Sequence, residues 1–275
     1  MQTSIVTSLD DIPATDWDAL VTDGYPFLQH AFLAGLERHG CLGERSGWHP
    51  MHLLCHDAGG RLLGAVPMYL KENSFGEFVF DWSWADAYRR HGLDYYPKLV
   101  AAIPFTPATG TRLLLTGSAG AEAVAARLIE AARALAIDHG CSSLHWLFTT
   151  PADQSRLQAG GFLTRLGCQF HWHNAGYADF EQFLAALTAK KRKNIRRERR
   201  QVEDAGLRIR VVHGDQASES EWRLFHRLYR DTFGKYGNFP ALTLGFFRHV
   251  GAALGRRVVM MIAESDGIDV AVALD

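Results

Sequence analysis

The amino-acid sequence predicts an α/β fold in which a mixed sheet is flanked by helices. Two segments, 51–70 and 258–275, place apolar runs on either side of a glycine-bearing turn, which is the pattern of a β-hairpin. Between them, residues 121–140 consist of good helix formers with one apolar face and end at Gly140, where a helix C-cap belongs. Strand and helix signals alternate over the intervening chain, which favours a layered α/β architecture.

Short apolar runs punctuated by glycine predict the remaining elements. They are, in order, strands over 78–84 and 96–105, the helix over 121–140, a strand over 142–148, a short helix over 152–161 and a strand–turn–strand hairpin over 162–174. A longer helix begins at Asp179, which has capping-box spacing to Gln182. Its apolar period continues to Gly206, which predicts a helix of about seven turns.

The composition makes several classes of protein and several kinds of binding site unfavourable. Lys and Arg number 29 against 30 Asp and Glu, so a net charge of −1 gives no overall field to attract nucleic acid or membrane. The four cysteines form no CxxC pair, and no apolar run approaches the roughly 20 residues of a spanning helix. The first residues also lack a signal peptide pattern. We therefore expect a cytoplasmic protein with no metal site, no DNA partner and no membrane span.

The two ends of the sequence show an internal likeness. Trp17 lies 42 residues before the turn glycine Gly59, and Trp222 lies 45 residues before Gly267. A proline six residues before a phenylalanine also occurs in both places, as Pro26–Phe32 and Pro240–Phe246. These offsets favour a tandem duplication. The alternative is that any α/β protein contains pieces in which a helix precedes a hairpin.

Three segments carry a resemblance to a known family. They are SFGEFVFDWSWADAYRRHGLDYYPKLVAAIPFTPATGTRLL (74–114), SRLQAGGF (155–162), and QFHWHNAGYADFEQFLAAL with KKRKNIRRERR (169–200). Together with the element order, they resemble the GNAT superfamily and, within it, the FemAB-like predicted N-acyltransferases. The resemblance implies a GNAT-like mixed twisted sheet, with a complete acyltransferase domain over 1–175. It further implies that residues 176–275 form a long basic helix and the N-terminal part of a second GNAT-like domain, an incomplete second copy.

A glycine-rich turn precedes the helix over 121–140. Unpaired amides at a helix N-terminus favour a phosphate group, and this turn consists of Thr116, Gly117, Ser118, Ala119 and Gly120. The resemblance implies that the turn, with Arg112 upstream, binds the pyrophosphate of an acyl-CoA donor, with acetyl-CoA expected. We also expect the strands over 96–105 and 142–148 to splay apart beside the turn and open a wedge. The alternative is a plain glycine-rich helix cap.

Two carboxylates lie among aromatic residues in the block DWSWADAY. Asp81 and Asp86 are candidate general bases, because burial raises the pKa of a carboxyl toward the value that deprotonation of an amine requires. Trp82, Trp84 and Tyr88 are candidate substrate-binding residues beside them. The alternative is that each Asp caps a local helix and that the tryptophans belong to the core.

Further candidates come from the predicted strands and turns. His145 lies on the strand over 142–148 and His171 on the hairpin over 162–174, which in a GNAT sheet flank the acyl cleft. A hydrogen-bonded core histidine is the alternative for each, and their spacing does not match a zinc motif. Lys98, Lys235 and Tyr236 are candidate ligands of anionic substrate groups, or otherwise solvated or cation–π residues.

The helix over 179–206 carries the most concentrated charge in the sequence. Residues 190–200 contain eight basic residues and one Glu, and the candidate ligands among them are Lys191, Lys193, Arg196, Arg197 and Arg200. Such a cluster attracts phosphates in a salt-dependent manner. The resemblance implies an aminoacyl-tRNA donor. The helix alternatively binds an anionic acceptor or the cofactor phosphates, or is a solvated face that bridges two domains.

These observations predict an N-acyltransferase that transfers an acetyl or aminoacyl group from acyl-CoA or aminoacyl-tRNA to a small-molecule or peptide amine. Because no GxSxG elbow is present, direct attack of the amine is expected, with backbone amides polarising the carbonyl. The alternative is a non-catalytic RNA- or cell-wall-precursor-binding protein that uses the basic helix.

Overall fold

The computed structural model describes residues 1–117 and 120–275. The elements up to residue 165 are β1 (Gln2–Val6), α1 (Ala14–Asp18), α2 (His30–Arg38), β2 (Trp48–Pro50), β3 (His52–His56), β4 (Leu62–Val66), β5 (Met68–Lys71), α3 (Trp82–Arg90), β6 (Lys98–Ala101), β7 (Leu114–Leu115), α4 (Ala121–Asp138), β8 (Leu144–Trp146) and α5 (Pro151–Ala159). Those after it are α6 (Phe180–Ala185), α7 (Ala189–Asp204), β9 (Arg208–His213), α8 (Glu219–Lys235), α9 (Leu244–Leu254), β10 (Val259–Ser265) and β11 (Ile268–Leu274).

The chain forms two compact units. The first contains Met1–Arg165 together with Phe239–Leu254, and the second contains Leu166–Asn238 together with Gly255–Asp275. Helix α9 therefore packs in the first unit, where it lies against α2 and the Phe32 and Phe246 rings meet edge to face at 5.3 Å. In the part of the chain that the structure describes, no helix is both long and apolar enough to cross a bilayer.

The first unit contains two four-stranded sheets, ordered β1-β3-β4-β7 and β2-β5-β6-β8. All neighbours are antiparallel except β6 and β8, which pair in parallel with Leu99 opposite Leu144. Helix α4 packs on the first sheet, because its apolar residues recur on one face and include the fully buried Leu128 and Ala132. This packing places the N-terminus of α4 beside the end of β7.

The second unit is built on the sheet β11-β10-β9, in which both pairings are antiparallel. Helix α8 begins with a capping box, in which Ser218 and Glu221 each bond to the other's backbone N–H. Helix α8 packs against β11. Arg210 of β9 is ion-paired with Glu221 of α8 and, at 2.7 Å, with Asp269 of β11.

Several predicted elements are confirmed. Both glycine-turn hairpins form, as β3–β4 and β10–β11, and the helix over 121–140 is α4. The strands over 96–105 and 142–148 contain the shorter β6 and β8, and the short helix over 152–161 is α5.

Three predicted elements are wrong. Residues 78–84 form no strand, because Phe78 and Phe80 have left-handed φ values of 58° and 52° and α3 begins at Trp82. Residues 162–174 form no hairpin; most of their side chains are exposed, so no buried face holds them in a sheet. The helix over 179–206 is two helices, because the Thr188 side chain accepts a bond from the backbone N–H of Lys191 and starts α7 anew.

Candidate functional site

A cavity of about 230 Å³ lies beside the junction of β7 and α4. Its walls include Thr116 and Gly117 of the glycine-rich turn, Ala121 at the start of α4, and Arg156 of α5. The other lining residues are Leu20, Val21, Thr22, Asp23, Leu28, Thr111, Leu113, Leu114 and Leu115. A backbone turn and a helix N-terminus that meet at a cavity form the arrangement to which anionic ligand groups bind.

The predicted cofactor turn is described in part. Gly120 is the N-cap of α4 with a φ of 109°, a left-handed conformation that favours glycine. Among the described residues, no atom lies within 4 Å of a Cβ added at Gly117. Ser118 and Ala119, which were predicted to bind the cofactor, lie outside the described residues.

Arg112 supports the wall next to this cavity rather than lining it. Its guanidinium is fully buried and donates to the carbonyls of Leu147 at 2.9 Å, Ala108 at 2.9 Å and Thr111 at 3.2 Å. Burial lowers its pKa to about 10, so the group stays charged at neutral pH. Its backbone N–H donates to the buried carboxylate of Asp153 at 2.6 Å. The guanidinium therefore holds the segment before β7 in place.

Arg156 is a cavity residue that the sequence did not single out. It lies on α5, where it is ion-paired with Glu122 of α4 at 2.6 Å. Its side chain is 26% exposed, and it also lies 3.5 Å from a buried oxygen of Asp153 that has no hydrogen-bond partner among the described residues. The only sequence signal for it was the i, i+3 spacing to Asp153 on the predicted short helix.

The expected wedge between the strands over 96–105 and 142–148 is wrong. These strands, as β6 and β8, pair in parallel over three consecutive residues each. The strand that leads into the glycine-rich turn is β7, which pairs with β4 in the other sheet. The cavity therefore lies at the end of β7 and not between β6 and β8.

A second group of functional candidates forms a buried ion cluster. Lys98 of β6 donates to Glu77 at 2.8 Å, to Ser74 at 3.0 Å and, through a short contact, to Asp81. Asp81 also accepts a bond from the Tyr95 hydroxyl at 2.7 Å. An ammonium group has three donors, and all three of Lys98 are used, so this residue binds no substrate group in this arrangement.

The pKa of Asp81 is lowered, not raised. Burial acts to raise the pKa of its carboxyl, but hydrogen bonds from Lys98, Ser74 and Tyr95 outweigh burial and lower the value to about 2. For Glu77 burial prevails, and its pKa is raised. Asp81 is therefore a stable carboxylate at neutral pH and a weak base.

The aromatic residues around Asp81 face solvent. Trp82 and Trp84 are 54% and 56% exposed, and Phe78 and Phe80 before them are also exposed. Tyr88 is half-buried, with its ring 5.1 Å from that of Tyr95. The tryptophans are thus available to a ligand and do not belong to the core. Asp86 is exposed on α3 and ion-paired with Arg89 and Arg90. Hydrogen bonding to Arg89 lowers its pKa.

The two predicted catalytic histidines differ in environment. His145 of β8 shares a hydrogen bond with the Ser143 hydroxyl at 2.9 Å, and burial lowers its pKa to about 4. It is therefore neutral at pH 7. His171 is exposed in the irregular segment of the second unit. Lys235 is the last residue of α8, and Tyr236 after it is 76% exposed.

The basic helix is α7, and none of its residues is buried. Arg196 is ion-paired with Glu181 of α6. Within residues 1–117 and 120–275, no carboxylate lies within ion-pair distance of Lys191, Lys193, Arg197 or Arg200. These four cations are available to an anionic partner. Over the same residues, no group of three His, Cys, Asp or Glu side chains is placed to hold a metal ion.

The structure thus gathers the site candidates into separate groups. The glycine-rich turn and Arg156 meet at the cavity, whereas Asp81 and Lys98 meet in the ion cluster. Glu77, the third charge of that cluster, was missed. Its only signal was a single acid within the aromatic run SFGEFVF.

Comparisons with known proteins identify the family. No curated protein sequence matches the chain. One similar solved structure is described as "Crystal structure of a probable acetyltransferase"; it is 18% identical, with 65% of this chain and 99% of that chain covered and a TM-score of 0.37. The model of the FemAB-like family, described by the words peptidoglycan biosynthesis/recognition, matches residues 8–275. The chain therefore belongs to the FemAB-like family.

Proposed function

We propose that this protein is an N-acyltransferase that transfers an acetyl or aminoacyl group to an amine by direct attack on an acyl-CoA or aminoacyl-tRNA donor. Membership of the FemAB-like family supports the reaction class. The observation that carries the donor assignment is the cavity at the N-terminus of α4, lined by Gly117 and Arg156. Between the two donors, we favour acyl-CoA because its pyrophosphate matches this site.

In the proposed complex, the backbone N–H of Gly117 and the N-terminus of α4 bind the pyrophosphate. Arg156 lines the cavity with a guanidinium that its ion pair with Glu122 partly neutralises, and Arg112 positions the preceding segment through its three carbonyl bonds. Because Gly117 has no side chain, the ligand can approach the backbone closely.

The chemical step requires a proton acceptor. As the amine nitrogen forms its bond to the acyl carbon, the bond from that carbon to the thiolate or ester oxygen breaks, and the amine loses a proton. The neutral ring of His145 is the candidate acceptor, but burial lowers its pKa to about 4 and it does not line the cavity, so its catalytic role also stays a prediction. Asp81, with a pKa of about 2, has a positioning role instead. For Asp86 and His171 a catalytic role stays a prediction.

The experiment that tests the donor site replaces Gly117 by valine. A Cβ at Gly117 meets no described atom within 4 Å and Gly117 lines the cavity, so we expect acetyl-CoA to bind at least about tenfold more weakly while the melting temperature without ligand stays unchanged. Gly167→Val is the matched control, because a Cβ at Gly167 also meets no atom and this residue does not line the cavity. Unchanged acetyl-CoA binding in Gly117→Val would contradict the donor site.

A second candidate function has its own support. The free cations of α7 (Lys191, Lys193, Arg197 and Arg200) favour a protein that binds RNA or an anionic cell-wall precursor without catalysis. For this candidate we expect RNA, but not acetyl-CoA, to raise the melting temperature, with the effect lost at high salt. The same helix would recognise the tRNA of an aminoacyl donor if transfer is observed.

The proposal includes a tandem duplication of a GNAT-like twisted sheet. The strands β1, β3 and β4 of the first unit and β9, β10 and β11 of the second share one antiparallel order. Two α-helices separate the first strand from the second in each case. This agreement supports the sequence offsets. The boundary near residue 175 and the incomplete second copy stay predictions.

A further inference from the structure

Two buried lysines face each other across neighbouring strands. Lys71 of β5 and Lys98 of β6 are register partners, and both side chains are completely buried. Like charges directly opposite each other are unfavourable, and burial removes the water that would screen them. The pair is therefore tolerated with negative charge beside Lys98, while burial lowers the pKa of Lys71 to about 7 and its amine contacts only carbonyl and amide oxygens.

The segment between β5 and α3 supplies that charge. Glu77 and Asp81, both buried, bond to Lys98, and Ser74 accepts its third donor. Lys71 donates to the carbonyl of Phe75 at 3.2 Å and to the side chain of Asn73 at 3.3 Å. Two lysines thus hold this segment at several points along its length.

The same segment carries strained residues that face solvent. Phe78 and Phe80 have left-handed φ values of 58° and 52°, which residues with a side chain rarely adopt. They lie between the buried acids Glu77 and Asp81 and are 46% and 72% exposed. Exposed phenylalanines gain little from burial, so their own packing does not account for the strained backbone. The buried ion pairs on either side of them account for the strained backbone.

We propose that Lys98, with its cross-strand partner Lys71, is a positioning residue that sets the geometry of the aromatic surface formed by Phe78, Phe80, Trp82 and Trp84. The lysine acts through Glu77 and Asp81 and does not touch a ligand. That this surface binds the acceptor amine is a part of the inference that rests on the proposed function. The positioning itself is a property of the ligand-free protein.

The test replaces Lys98 by methionine and observes the segment without any substrate. We expect amide hydrogen exchange in residues 74–84 to become faster by at least about tenfold, while the amides of α4 keep their protection. In 5-fluorotryptophan-labelled protein, the ¹⁹F signals of Trp82 and Trp84 should move, whereas that of the buried Trp17 should stay in place. The signals are assigned with Trp82→Phe and Trp84→Phe.

Glu37→Gln is the matched control, because it also removes a charge of the first unit that is largely buried, with the side chain 9% exposed, and that accepts bonds from His52 and Ser8. It should leave exchange in 74–84 unchanged. If Lys98→Met does not fold, Lys98→Met combined with Asp81→Asn removes one charge of each sign and should fold with the segment still loosened. Full protection of 74–84 in whichever lysine variant folds, or equal loosening in Glu37→Gln, would overturn the inference. Failure of acetyl-CoA to bind would leave it intact.

Discussion

Replacing Asp81 by asparagine should expose how much the buried ion cluster contributes to stability. The side chain keeps its shape and its bond from Tyr95 but loses the charge that pairs with Lys98. A pKa lowered from 3.8 to about 2 corresponds to about 2.4 kcal/mol of stability at pH 7. Removing one partner of a buried pair costs about 3–5 kcal/mol. We expect Asp81→Asn to lower the free energy of unfolding by about 2–3 kcal/mol, because Lys98 keeps its bonds to Glu77 and Ser74.

The pH dependence of stability distinguishes the contribution of the Asp81 charge from that of side-chain packing. A lowered carboxyl pKa gives stability that is fully present above the unfolded value of 3.8 and is lost as the pH falls through about 2. By this linkage, the contribution of Asp81 at pH 3 is about 1.3 kcal/mol, so the gap between wild type and Asp81→Asn should narrow by about 1.1 kcal/mol from pH 7. Urea unfolding followed by circular dichroism at both pH values measures the gap. If the gap is equal at pH 7 and pH 3, the charge of Asp81 is not the source of the stability difference.

Two further predictions concern backbone conformation and close packing. At the left-handed Phe80, we expect Phe80→Gly to be about 1 kcal/mol more stable than Phe80→Ala, whereas the order should reverse at the exposed helical Ile137. Urea titrations of the four variants measure both differences. If the glycine and alanine variants have the same order of stability at both positions, the backbone at Phe80 is not strained. Gly64→Ala should destabilise by about 1–3 kcal/mol, since its Cβ would stand 2.7 Å from Val124 and 2.9 Å from the Leu114 carbonyl oxygen. Thermal melts of this variant and of Gly59→Ala, whose Cβ has room, check that result.

The candidate site was predictable where chemistry depends on local sequence. A glycine-rich turn before a helix of good helix formers predicts an anion site at the helix N-terminus, and the cavity lies beside that terminus. Asp81 and Lys98 were both singled out, but as a base and a substrate ligand. Their actual relation, a buried ion pair, joins residues 17 positions apart on different elements. No local pattern specifies such a contact.

Sequence by itself determined the elements whose signals are local: the two glycine-turn hairpins, helix α4 with its apolar face, and the short helix α5. Only the tertiary structure determined which polar groups are buried away from water. It buried Lys71 opposite Lys98, bonded Arg112 to carbonyls and left residues 162–174 without a sheet partner. The physical reason is that periodicity and turn chemistry act over a few residues, whereas burial and ion pairing depend on which distant segments meet.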